Sequence, residues 1–146
     1  MGFMDWLTGE KKSEGTTEIT GGKILSKPFK IAMSFTPLRL SANQKNSVNL
    51  NIKVTNITKD PQLVSVDILL PKDAFIGFEP TCINKAMEKR LGEIKPGETA
   101  TAVIPIWANT QTKPGIHEIS ITVYAHYIGY DKVLNYMKTK TAVRIV

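Results

Sequence analysis

From about Lys30 onward the apolar residues of this chain recur at every second position. In "SVNLNIKVTN", Val48, Leu50, Ile52 and Val54 point one way while Ser47, Asn49, Asn51, Lys53 and Thr55 point the other. That is the pattern of an antiparallel strand with one face in water. "QLVSVDILLP" places Val64, Val66, Ile68 and Leu70 inward with Ser65 and Asp67 outward, and Pro71 closes the run. The intervening "NITKDP" supplies turn residues, so the two strands read as a hairpin. The earlier "KIAMSFTPLRLS" alternates through Ile31, Met33 and Phe35, then changes phase at Pro37 to Leu38 and Leu40. Proline cannot donate to a ladder, so a bulge or a change of sheet is expected there.

A Pro-Gly corner in "LGEIKPGETATAVIPI" precedes a strand from Thr99 with Ala100, Ala102, Ile104 and Ile106 inside. Pro105 and Trp107 then fall on its outward face, and the proline implies an edge or a bulge. "TKPG" makes the next corner, and "IHEISITVYAHYIGY" carries Ile119, Ile121, Val123 and Ala125 inward. The last run, "VLNYMKTKTAVRIV", has Val143 and Ile145 inside, with Lys138, Lys140 and Arg144 outside. "INKAMEKRLGEI" fits either a strand or a short helix, because Ile83, Ala86, Met87, Arg90 and Leu91 also match helical spacing. About seven short strands with turn chemistry and no recurring helix predict an all-β, two-sheet antiparallel sandwich.

The first residues differ. In "MGFMDWLTGEKK", Phe3, Trp6 and Leu7 share one stripe if the segment is helical, ahead of Lys11 and Lys12. "SEGTTEITGG" has a linker's composition. The expected division is an amphipathic helical or flexible segment and linker over 1–22 and a β-sandwich domain over 23–146.

The succession "VNLNIKVTNIT", "LGEIKPGETATAVIPIWA" and "KPGIHEISITVYA" resembles the CARDB-type immunoglobulin-like domains, named for cell adhesion, of archaeal and bacterial proteins. In that family a "V-N" strand end, an "L-x-P-G-E" turn and a "G-x-(Y/H)-x-(I/V)-x-V" strand recur in this order. The resemblance spans about Asn43 to Tyr127 and implies an immunoglobulin-like fold. Such domains are typically extracellular modules of longer chains.

Composition narrows the functions. The 146 residues are 42% hydrophobic and 22% charged, an ordinary globular balance in which one core suffices. Sixteen lysines against three arginines, within a net charge of +6, disfavour nucleic acid, because base and phosphate recognition uses the planar arginine fork. No apolar run reaches the roughly 18 residues of a membrane span, and no leader pattern opens the chain, so a cytoplasmic location is expected, with peripheral membrane contact as an option. The "NIT" sequon at Asn56 then meets no glycosylation machinery. Gly2 begins a myristoylation-like start, but Trp6 stands where that motif needs Ser or Thr.

Candidate chemistry is sparse. Cys82 is the single cysteine and is expected to be a small buried or half-buried apolar group. His117 and His126 are nine residues apart on one strand and so lie on opposite faces, and Cys82 precedes both, which is not a blue-copper order. His117 reads as a hydrogen-bonded residue at the rim of the core. No nucleophile elbow, phosphate loop or zinc helix is present, and no metal or cofactor is expected. Tyr124 and Tyr127 alternate in facing and make no stacking platform; Tyr127 is expected at the core edge.

The expected function is non-enzymatic protein interaction, through an exposed sheet edge or the surface near Trp107, with Tyr124, Phe3, Trp6 and Leu7 as further contact residues. The partner is a protein or a second copy. Residues 1–12 also suit weak attachment to a membrane surface. Two alternatives are a carbohydrate- or small-ligand-binding sandwich using Trp107 with nearby tyrosines, and a metal-dependent redox protein.

Overall fold

The computed structural model describes residues 27–146, together with the backbone of 19–20 and 23–24. Phe3, Trp6 and Leu7 lie outside the described residues, as does most of the expected N-terminal segment. At the end of the linker-like stretch, β1 (Ile19–Thr20) pairs antiparallel with β2 (Lys23–Ile24), which lies just past it. Nine further strands form two sheets: β3 (Phe29–Thr36), β4 (Arg39–Leu40), β5 (Asn46–Asn56), β6 (Gln62–Leu69), β7 (Ile76–Gly77), β8 (Ala86–Ile94), β9 (Thr99–Ala108), β10 (Gly115–His126) and β11 (Val133–Ile145). One sheet has the order β3-β5-β9-β7 and the other β4-β11-β10-β6-β8.

Alternation places the core as the pattern predicts. Val48, Leu50, Ile52 and Val54 on β5 and Ile119, Ile121 and Val123 on β10 are all buried in one core cluster. Ala102, Ile104 and Ile106 of β9, Val64, Val66 and Ile68 of β6, and Val143 and Ile145 of β11 complete the interior. The Lys95–Glu98 corner is a turn in which the Glu98 amide donates to the Lys95 carbonyl and Gly97 takes φ 81°. Only glycine enters that left-handed region without steric cost.

One expectation is corrected, one open reading is settled, and one short parallel pair is found within the antiparallel sandwich. β5 and β6 are not a hairpin: Asn56 ends a strand of one sheet and Gln62 starts a strand of the other, so residues 57–61 cross between layers. Turn residues permit either connection, and the alternating pattern is the same for both. The undecided segment is strand, with Met87 and Leu91 on the core and Ile83 exposed in the preceding turn. The sheets are not wholly antiparallel, because β4 pairs parallel with β11 through Arg144↔Arg39 and Ile145↔Leu40. This pair arises at Pro37, where the chain leaves β3 in one sheet and joins the other as β4. The phase change in the sequence is thus a change of sheet.

Candidate functional site

Four long strand margins bound the two sheets, and they are not alike. β8 is guarded: Glu88, Lys89 and Arg90 stud it, and Leu91 is an extra residue, since Val64 faces Gly92 while Ser65 faces Arg90. Gly92 takes φ 78° at this bulge. Charges and bulges of this kind blunt a margin against further pairing. The free margin of β9 carries Pro105, which has no N–H to offer, and β7 covers its end at Trp107 and Ala108.

The margins of β3 and β11 lie on the same side of the sandwich and are open among the described residues. β3 pairs with β5 in unbroken register from Phe29↔Asn56 to Thr36↔Asn49, with no proline or bulge inside it. β4 covers only Arg144 and Ile145 of β11. The burial follows: Val143 and Ile145 are shielded, whereas Met137, Thr139 and Thr141 upstream on the same inward face are half-exposed. Across the gap, Ile31, Met33 and Phe35 also point inward, pack on the core and remain half-exposed. The result is an apolar seam flanked by two strand margins. Lys138 and Lys140 line its outer lip, and Lys140 meets Glu118 at 3.7 Å, where both are exposed.

The outer face of the five-stranded sheet holds a second constellation. Cross-strand register aligns Tyr136, Tyr124, Ser65 and Arg90 in one row. Tyr124 sits 6.2 Å from Tyr136 and 6.0 Å from His126, and His126 meets Tyr130 edge-on at 5.1 Å between centroids. The Arg90 guanidinium lies 4.6 Å over the Tyr130 ring. The His126 Nδ1 is 3.2 Å from the Lys132 carbonyl oxygen, which can only accept, so that nitrogen holds the proton. His126 Nε2 therefore accepts from the Ser65 hydroxyl at 2.7 Å. Ser65 is 1% exposed, which leaves a substrate no path to its hydroxyl; the pair ties the sheet to the turn after β10. Burial raises the Tyr124 pKa, and the neighbouring Asp67 and Tyr136 add to it.

Trp107 is half-buried on β9, beside Ser47 and Gly77. It lies in the four-stranded sheet, so Trp107 and the tyrosines occupy opposite outer faces and cannot form the joint ligand surface expected from sequence. On that outer face Lys30, Ala32, Lys53, Thr55, Thr99 and Thr101 line an open trough of about 420 Å³. Tyr127, expected at the core edge, is 56% exposed, because the hairpin continues past His126 and carries it off the sandwich. Cys82 is buried as expected; its thiol donates to the Trp107 carbonyl at 3.3 Å, and burial raises its pKa despite nearby Lys85. His117 and His126 lie on opposite faces of β10. Among the described residues no three His, Cys, Asp or Glu side chains converge as a metal site would need, and no helix is long and apolar enough to cross a membrane.

Sequence reasoning missed both the seam and the tyrosine-histidine row. The row had a signal in "YAHYIGY" and "LNYM", but aligning Tyr124 with Tyr136 requires the register of β10 on β11.

No protein-family model and no curated protein matches the sequence. Solved structures do. The chain is similar to the native conformation of E. coli alpha-2-macroglobulin, with a TM-score of 0.54 and 17% identity over 84% of this chain and 7% of that one. The trypsin-activated form from Escherichia coli gives a TM-score of 0.52 at 17% identity, covering 86% of this chain and 8% of that one. AvmM, described as catalysing macrocyclization in alchivemycin A biosynthesis, matches with a TM-score of 0.52 at 8% identity over 90% of this chain and 96% of its own. At these identities the likeness shows the fold: the chain is an immunoglobulin-like β-sandwich. It spans less than a tenth of the alpha-2-macroglobulin chains.

Proposed function

We propose that this chain is a CARDB-type immunoglobulin-like module that binds a protein partner, without chemistry of its own, by accepting an extended strand along the β3–β11 side. The observation that carries this reading is the half-exposed inward row Ile31, Met33 and Phe35 beside the uncovered length of β11. An added strand satisfies main-chain donors and acceptors of the margin and places alternate apolar side chains on that row. Its other side chains lie next to Lys138 and Lys140, so a strand with acidic outward residues is favoured over a second copy of β11, whose lysines would repel.

The test combines affinity capture from native lysate with variants. Lys138→Glu with Lys140→Glu, and separately Met33→Glu, should each release the captured protein, while Val103→Glu on the outer face of β9 should not. Thermal melts establish that each variant is folded, and slowed amide exchange on β11 in the complex locates the contact. Retention of the partner by both seam variants, or exchange protection confined to other strands, overturns the reading.

A further inference from the structure

The outer face of the four-stranded sheet is built from the residues of β3, β5 and β9 that turn away from the core. No carboxylate occupies any outward position of these three strands, although the chain carries thirteen Asp and Glu residues. On the opposite face Asp67, Glu88 and Glu118 are interspersed with Arg90 and Lys140. One face is thus mixed in charge and the other purely basic.

Register sets Lys30 beside Thr55 and Thr99, and Ala32 beside Lys53 and Thr101. Ala32 is too short to fill its place, which opens the trough of about 420 Å³ next to both lysines. Lys30 and Lys53 are exposed, and neither forms an ion pair among the described residues. The Thr55 and Thr99 hydroxyls share one hydrogen bond at 2.7 Å, so whichever accepts keeps its own proton to donate. Glu98, just past this end, holds the Lys95 amide at 3.1 Å, and the two lysines outweigh its charge. The trough offers ammonium and hydroxyl donors to an anion.

Beyond the trough the strip divides into two tracks. On β9 the outward positions are apolar, with Val103 50% exposed and Pro105 and Trp107 half-buried. On β5, one strand spacing or about 4.8 Å away, Asn51 and Asn49 face Val103 and Pro105. The Asn51 Nδ2 donates to the Thr36 hydroxyl at 2.9 Å, which orients the amide across the strip. An apolar rail beside amides that both donate and accept matches a sugar ring, which has C–H faces and a rim of hydroxyls that do both. From Thr99 to Trp107 the strip runs roughly 26 Å at about 3.3 Å per residue, long enough for several sugars in a chain. A nucleic acid would need cations along that whole length, whereas both lysines stand at one end and the face has no arginine.

We propose that this face binds a glycan that is neutral along its length and ends in an acidic sugar. The rings stack along Val103, Pro105 and Trp107, their hydroxyls meet Asn49 and Asn51, and the terminal carboxylate sits over Ala32 beside Lys30 and Lys53. The seam opens at the strand margins and the strip on the outer face, so this binding goes beyond strand addition and does not depend on it.

The test is an array of immobilised neutral, uronate-ended and sialic-acid-ended oligosaccharides probed with the full chain, with inorganic polyphosphate and a single-stranded DNA oligomer as charge controls. Binding is expected to acid-ended chains, and removing the acid from a bound chain should weaken it about tenfold. Lys53→Gln should cost a similar factor and flatten the salt dependence. Trp107→Ala should weaken every bound chain. Because Trp107 is half-buried, the exposed position supplies a second variant: Val103→Glu should abolish glycan binding while the melting temperature and the capture of a protein partner are kept. Lys138→Glu with Lys140→Glu in the seam should do the reverse. Binding to no acid-ended glycan, or equal binding to the neutral chains, overturns the proposal. So does equal binding to polyphosphate or DNA, which would mean that the face reads charge alone, and so does retention of the glycan by both Lys53→Gln and Val103→Glu.

Discussion

Asn56 shows how much one polar side chain can organise. It is fully buried, and its Nδ2 donates to the Asp60 and Ile94 carbonyls while its Oδ1 accepts from the Thr58 amide and hydroxyl. The same atoms that make "NIT" a sequon are thus committed inside the fold, so the folded chain offers that nitrogen to no modifying enzyme. Asn56→Ala strands the buried Ile94 carbonyl and should cost about 1–3 kcal/mol in denaturant unfolding. Asp67 carries the opposite sign. Burial raises its pKa, the facing Glu88 adds to the rise, and His126 opposes it. The folded state therefore holds the proton more tightly than the unfolded chain, whose carboxyl titrates near 3.8. Stability falls as pH climbs from there through the raised value, and the ionised carboxylate is a liability above it. Asp67→Asn should raise the melting temperature at pH 7, and that advantage should vanish when melts are repeated below the unfolded pKa.

Among the elements, β7 depends on a close approach that no periodicity announces. A Cβ on Gly77 would stand 2.4 Å from the Cys82 Cα and 2.8 Å from its carbonyl carbon, both backbone atoms that cannot swing aside. Cys82 itself sits at φ 58°, held by the hydrogen bond its backbone N–H donates to the Glu79 carbonyl. Gly77→Ala should therefore push the 78–85 loop outward, destabilise by about 1–3 kcal/mol and expose the thiol; faster reaction of Cys82 with an aromatic disulfide reagent checks it. The turn glycines are a contrast. Gly97 was readable from "KPGE" alone, because Pro-Gly encodes its turn locally, whereas Gly77 has an ordinary backbone and is constrained only by what lies beside it.

At the scale of the whole sandwich, the described residues leave it closed on one side and open on the other. The closed side carries a bulge, charges and a proline; the open one exposes Ile31, Met33, Phe35 and Met137 between unguarded margins. This asymmetry follows from one crossing. β3 stays with β5 for eight residues before Pro37 releases it, so only two remain to cover β11 as β4. The ends differ as well, with the irregular β10–β11 tip at the one where the described sandwich begins. An interaction module needs surfaces of this sort rather than clustered reactive groups, and its sequence carries few signature residues for that reason.

The alternation of Val48 to Val54, Ala102 to Ile106 and Ile119 to Ala125 was enough to determine which side chains are inside and that the chain forms facing sheets, because side-chain facing in a strand is a local property with period two. The turn at Pro96 and Gly97 and the change of phase at Pro37 were local as well. Tertiary structure alone decided which strands are neighbours. It sent β5 and β6 to different sheets, set Tyr124 against Tyr136, put Trp107 on the far face and, among the described residues, left the side of β3 and β11 uncovered. Pairing and crossing join residues far apart along the chain, and nothing in the facing of a single strand records which margin it meets.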